Sequence, residues 1–184
     1  MLNVQTGDIF FTHSQSTLAK LIRWAQSDPG ETDKAWANHV GIVVYPGDLR
    51  TNAYITEAVW KTRLGHLEMK EGMGVRVFSH VTAPAPEAIE NFKEEVYARI
   101  GLKYGWWKLL GHLVDRTVFH GTKVVSKLFF VDKRPICSYY VAHMVYRHFG
   151  WDFGIDPDAA DPDEMMDYCE EHHGEWRFVG EIEG

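Results

Sequence analysis

The stretch Asn38-His39-Val40-Gly41-Ile42-Val43-Val44-Tyr45, followed by Pro46-Gly47-Asp48 and then by Ala53-Tyr54-Ile55-Thr56-Glu57-Ala58-Val59, reads as the two strands of a β-hairpin. β-Branched and apolar residues dominate both runs, and the Pro-Gly-Asp cluster between them is turn chemistry. With Tyr45 opposite Thr51 and a loop over 46–50, His39 falls opposite Glu57. Side chains alternate along a strand, so a register slip of two leaves both on one face, with Val40, Ile42 and Val44 on the other. A histidine and a carboxylate on one face read either as an ion pair on a solvated sheet face or as part of a polar site.

Working outward, Asp8 to Thr12 reads as a short buried strand after a turn at Gly7. Ser16 or Thr17 then caps a helix over 18–25, in which Leu18, Leu21, Ile22 and Ala25 recur at helical spacing. Val75 to Phe78 alternates and supplies a third central strand of an antiparallel sheet. Pro86 to Ile100 is a helix with Gly101 at its end, and the stretches 105–114 and 118–130 are irregularly helical and rich in aromatics. A further helix runs from Cys137 or Ser138 to Phe149 with Gly150 as its stop, followed by a helix over 162–171 and a strand over 176–179. Strands gathered early, with helices on both sides in sequence, predict an α+β fold in which an antiparallel sheet packs against helices, formed as one domain over residues 1–184.

Composition narrows the function. The chain's 184 residues are 45% apolar and 14% aromatic, enough for a sizeable core. Its 26 acidic residues exceed its 19 basic ones, giving a net charge of −7, and Lys133-Arg134 is as near as it comes to a basic run. Nucleic acid is therefore not an expected partner. Met1 to Asp8 has neither a basic start nor a long apolar stretch, and Lys108, Gly111 and His112 interrupt the apolar segment from Trp106 to Val114. A cytoplasmic location without a transmembrane segment is the expectation, with Cys137 and Cys169 both as free thiols.

A cysteine nucleophile needs a lowered thiol pKa, a base within reach and a group that orients the base. Cys137 stands at the predicted amino end of a helix, where unpaired N–H groups and the helix dipole favour a thiolate and can also hold an oxyanion. A buried core thiol is the competing reading of the same position.

The order Gly7-Asp8-Ile9-Phe10-Phe11, Asn38-His39-Val40-Gly41-Ile42-Val43, Ile55-Thr56-Glu57-Ala58, Lys103-Tyr104-Gly105 and Ile136-Cys137-Ser138-Tyr139-Tyr140-Val141 resembles the circularly permuted NlpC-type cysteine hydrolases, the YiiX-like group above all. The resemblance spans roughly residues 6–150 and has the permuted order, with the His-bearing strand ahead of the Cys-bearing helix. It implies a papain-like core with Cys137 as nucleophile, His39 as general base and Glu57 as the residue that orients the imidazole. It also implies amide bonds of cell-wall peptides as substrates, relatives being acyl transferases that act on lipids. Two departures bear on the substrate: Gly105 stands where an acidic residue is common, and Tyr139-Tyr140 replaces an acidic and aliphatic pair.

Tyr104, His13 and Tyr139 are the candidate substrate-binding residues, set against plain packing or loop roles. The expected partner is a peptide, a peptidoglycan fragment or a lipid, and release by lysis is one route from the cytoplasm to a cell wall. No cofactor is expected. Cys169-Glu170-Glu171-His172-His173 contains metal-ligand types, but no second ligand pair at a familiar spacing accompanies it, so no metal site is expected either. A lipid acyltransferase or lipase using the same three residues is one alternative. Another is a non-catalytic binding module with Trp106, Trp107, Tyr139 and Tyr140 as an exposed aromatic platform.

Overall fold

The computed structural model describes residues 1–26, 35–69, 71–103, 136–157 and 160–183. In chain order the strands are β1 (Asn3–Val4), β2 (Ile9–His13), β3 (His39–Tyr45), β4 (Gly47–Asp48), β5 (Tyr54–Ala58), β6 (Thr62–Gly65), β7 (Gly74–His80) and β8 (Trp176–Ile182). The helices among the described residues are α1 (Thr17–Gln26), α2 (Pro86–Arg99), α3 (Cys137–Phe149) and α4 (Pro162–Glu171). Six strands form one antiparallel sheet in the order β6-β5-β3-β2-β7-β8, and β1 pairs with β4. The expected α+β arrangement of an antiparallel sheet against helices is the one seen. The expected helical stretches 105–114 and 118–130 lie outside the described residues.

The pleat sorts the core into two. Ile9, Phe11, Val40, Ile42 and Val44 share a cluster with Phe92 and Val96 of α2, Val141 and Met144 of α3, and Met165 of α4. Phe10, Val43, Ile55, Val75 and Val77 gather on the other face with Leu49, Leu67 and Met73. Tyr140 is fully buried in α3, and its hydroxyl lies 2.9 Å from that of Thr56 on β5, which ties the helix to the sheet. This corrects the platform reading: Tyr140 is a core residue.

The β3–β5 register also differs from the expectation. Glu57 lies opposite Gly41, not His39, and Tyr45 lies opposite Tyr54, not Thr51, because the pairing shifts between Val43 and Tyr45. The segment expected as a simple loop instead supplies β4, which pairs with β1, and Asp48 gathers the following turn by accepting from the backbone N–H of Arg50 at 3.0 Å. The shift is by two residues, so His39 and Glu57 keep a common face and meet diagonally.

Strand β6 was not anticipated. It places Arg63 directly opposite Glu57 and completes a row on one face running Val77, Phe10, Gly41, Glu57, Arg63. Gly41 is the pivot of that row. The Phe10 ring lies so close over it that a Cβ would overlap ring carbons, and the Thr56 carbonyl is 3.0 Å from the same point. Phe10 is fully buried and has little room to yield. Gly41→Ala is therefore expected to cost about 1–3 kcal/mol, typical of overpacking. Urea unfolding should show a lowered midpoint with an unchanged slope.

Candidate active site

Cys137 is the first residue of α3, and the residue at the cap position is Ile136, in extended conformation, which provides no capping side chain. At α4, by contrast, the Asp161 carboxylate accepts from the N–H groups of Asp163 and Glu164. An aliphatic residue at this position forgoes about 1 kcal/mol of capping. In its place the N–H of Ser138, and that of Val40 on β3, donate to the Cys137 sulfur.

His39 opens β3, and its ring and the Cys137 sulfur lie within hydrogen-bond reach of each other. On its other side Nε2 donates to Glu57 Oε2 at 2.6 Å. With Nε2 engaged, the nitrogen left for the sulfur is Nδ1. Glu57 Oε1 accepts from Arg63 Nε at 2.6 Å, and a second guanidinium nitrogen pairs with the same oxygen. Arg63 also donates to Glu68 Oε1 at 2.6 Å. Glu57 is only 2% exposed, which excludes the reading of a solvated surface pair.

Charges arranged this way stabilise one another. Burial alone would raise the Glu57 pKa, but His39 and Arg63 outweigh it and hold the carboxyl at about 2. Burial would likewise lower the His39 pKa, yet the Cys137 sulfur and Glu57 together lift it to about 10. For Cys137, burial is overcome by the imidazolium and the two N–H donors, so its thiol is held below its ordinary range. The surroundings of the two groups favour a thiolate–imidazolium pair. Its contribution to stability follows with opposite signs. The Glu57 share is present above its ordinary 4.5 and lost as pH falls toward about 2. The His39 share is present below its ordinary 6.5 and lost as pH rises through about 10. Cys169 is the contrast: fully buried, next to Glu170, its thiol is pushed up and stays protonated.

Cys137 lines a cleft of about 480 Å³ together with His39 and Glu57. Leu18, Ala19 and Ile22 of α1 give it an apolar wall, while Ser14, Asn38 and Lys61 contribute polar groups. Of the residues singled out from the sequence, Cys137, His39 and Glu57 come together here. His13 does not line the cleft; its Nδ1 lies 2.8 Å from the Trp36 carbonyl and its Nε2 2.9 Å from the Gln15 amide. Tyr139 does not line it either and packs beside His143, at 5.6 Å between ring centroids. Tyr104 lies outside the described residues. Arg63 was missed. A cation six residues after Glu57 and across a turn was the available signal for Arg63, but no Gly, Asn or Asp marks the turn at Val59-Trp60-Lys61.

No family model matches the chain, and no curated protein matches it. Among solved structures it is similar to the metalloprotein YiiX from Escherichia coli O157:H7, DUF1105, with a TM-score of 0.52 and 19% identity, covering 95% of this chain and 88% of that chain. The fold is YiiX-like. The described residues offer no matching metal site: no group of three or more His, Cys, Asp or Glu side chains is arranged to hold an ion. Cys169 faces the core, and His172 stacks on Tyr168 at 3.7 Å between ring centroids, so the tail cluster does not converge. Among the described residues no helix is long and apolar enough to cross a membrane.

Arg63 is the outer support of the charged set. Arg63→Met should let the Glu57 pKa rise from about 2 toward its ordinary value, so that the Glu57 share of stability is lost at higher pH and the acid limb of a urea-midpoint–pH profile moves upward by about one pH unit. An acid limb identical to that of the unaltered protein would remove Arg63 from this role.

Proposed function

We propose that the protein is a cysteine-dependent hydrolase of the circularly permuted NlpC type, with a papain-like core, that cleaves an amide bond through a thioester. The substrate class proposed is a cell-wall-type peptide or a related conjugate. One observation carries the reading: a thiol at an uncapped helix end, paired with an imidazole whose far nitrogen is held at 2.6 Å by a buried carboxylate. The YiiX-like fold and the order of His strand before Cys helix support it.

In the proposed reaction the Cys137 thiolate attacks the substrate carbonyl carbon, a C–S bond forms and the C=O π pair moves onto oxygen. The Cys137 N–H, at the first position of α3 and so without an acceptor in the helix, donates to that oxygen. Collapse breaks the C–N bond, and the leaving amine takes the proton from His39 Nδ1. Water then gives a proton to the neutral imidazole as it attacks the thioester, and the thiolate departs with the bonding pair. Glu57 holds the ring by its Nε2–H throughout and stabilises its charged form.

The apolar wall of Leu18, Ala19 and Ile22 favours a second reading, in which the same residues act on a lipid ester. Parallel assays on muropeptides and phospholipids distinguish the two. Cys137→Ala and His39→Ala are each expected to abolish turnover with the fold intact, and full activity in either variant would exclude that residue. At near-neutral pH an activity-based thiol probe should label Cys137 well ahead of Cys169 by mass spectrometry. Equal, slow labelling of both would overturn the proposal.

A further inference from the structure

Arg63 divides its guanidinium between two carboxylates. Nε and Nη2 go to Oε1 of buried Glu57, with Nε at 2.6 Å. The remaining nitrogen, Nη1, donates to Glu68 Oε1 at 2.6 Å. The two carboxylates differ in kind: the Glu57 side chain is 3% exposed and that of Glu68 67%. An ion pair so open to water adds little to stability, since solvent screens it and long side chains must be held still to make it. Arg63 and Glu68 both line the cleft that holds His39 and Cys137. Contact follows contact from the sulfur to this rim, through the imidazole to Glu57 at 2.6 Å and through Glu57 to Arg63.

A second cation stands beside it. Lys61 lines the same cleft two residues before Arg63, on the same face by strand alternation, and lies directly opposite Lys103. Like charges facing each other across a strand pair are unfavourable. Among the described residues no carboxylate lies within ion-pair distance of either ammonium. The backbone here is fixed: the Thr62 N–H donates to the Leu102 carbonyl and the Gly101 N–H to the Thr62 carbonyl, each at 2.9 Å. Two facing lysines without counter-charge, in a chain whose net charge is −7, break a local rule at one edge of the cleft and call for an anion that arrives with a ligand.

We infer that Arg63 Nη1 and the Lys61 ammonium form an anion subsite at the cleft rim, that its ligand is a free carboxylate on an acidic peptide or conjugate, and that the Glu68 carboxylate fills it until such a substrate arrives. This names a substrate class for the proposed hydrolase and rests on that reading. The exchange is balanced in charge. One carboxylate replaces another on Nη1, Glu68 passes into the water that already reaches most of it, and Glu57 keeps its own two guanidinium contacts throughout. Lys61, which Glu68 leaves unpaired, gives the incoming group a second cation and so favours it over the internal one.

Esters that differ by one charge read the subsite in the full-length protein. The Cys137 thiolate adds to the carbonyl of a p-nitrophenyl ester, a C–S bond forms, the π pair moves to oxygen, and collapse expels p-nitrophenolate to leave a thioester. Acylation rates are compared for the monoanionic p-nitrophenyl esters of succinic, glutaric and adipic acid against uncharged p-nitrophenyl pentanoate. Each anion-to-neutral ratio cancels any general change in the thiolate, and the ratio should peak at one chain length. At that length Glu68→Gln should raise the ratio about threefold, Lys61→Gln should lower it about threefold, and about 1 M NaCl should shrink it. An unchanged ratio in Glu68→Gln would show that Glu68 holds no ligand's place, and an equal rise at all three lengths would show a diffuse field; either overturns the subsite. Stronger competition by glycerol phosphate than by glutarate would overturn the carboxylate assignment in favour of a phosphate-bearing lipid. If the neutral ester acylates Cys137 of the unaltered protein no faster than Cys169, the hydrolase reading itself fails and this inference falls with it.

Discussion

A carboxylate sealed into a β-sheet is costly unless opposite charge surrounds it, and the burial of Glu57 sets the terms for the rest of this structure. Removing such a group from water costs several kcal/mol, and one partner rarely offsets that. Glu57 has a partner for each oxygen, the His39 ring on Oε2 and the Arg63 guanidinium on Oε1. The sequence of groups from sulfur to imidazolium, carboxylate, guanidinium and Glu68 alternates in sign. It also runs from the interior toward water: the Glu57 side chain is 3% exposed, that of Arg63 31% and that of Glu68 67%. Each buried charge thus meets its opposite on both sides, and the last one is solvated.

The fold supplies this arrangement through small residues and strand order. The Phe10 ring lies over Gly41, the residue opposite Glu57, where no other side chain would leave room for it. β3 lies between β2 and β5, so its first residue stands at the end of a paired strand. The segment leading into it is held by Asp163 of α4, and Ser16 caps α1 by accepting from the Ala19 N–H at 3.2 Å, setting the apolar wall of the cleft. Elements distant in sequence therefore converge on residues 36–40.

The sequence made some of this legible and hid the rest for physical reasons. Periodicity and capping chemistry located α2, α3 and α4 closely, since Pro86, Gly150 and Asp161 with Pro162 are strong local punctuation. The common face of His39 and Glu57 was legible because parity survives a shift of two residues, whereas the true register was not, since the irregularity between Val43 and Tyr45 has no local signature. Arg63 was hidden by a turn without turn residues. Cys137 illustrates a signal that local reasoning recovers only in part. A thiol at a helix start is as compatible with a core as with a site until the Ile136 cap and the neighbouring imidazole are seen together.

The same charge pattern constrains what chemistry the proposed site can sustain. A thiolate stabilised too far would be a poor nucleophile, because intrinsic nucleophilicity falls as the thiol pKa falls. What keeps the pair reactive is that its two charges vanish together. When the sulfur acylates it loses its negative charge, and the imidazolium passes its proton to the departing group, so the pair goes from ionic to neutral with no change in net buried charge. Glu57 and Arg63 still neutralise each other after that step, and neither is left alone in a poorly solvated interior. Had the carboxylate lacked Arg63, loss of the imidazolium would strand a negative charge on the sheet and oppose acylation. The guanidinium, remote from the sulfur, thereby makes the discharged state as tolerable as the resting one.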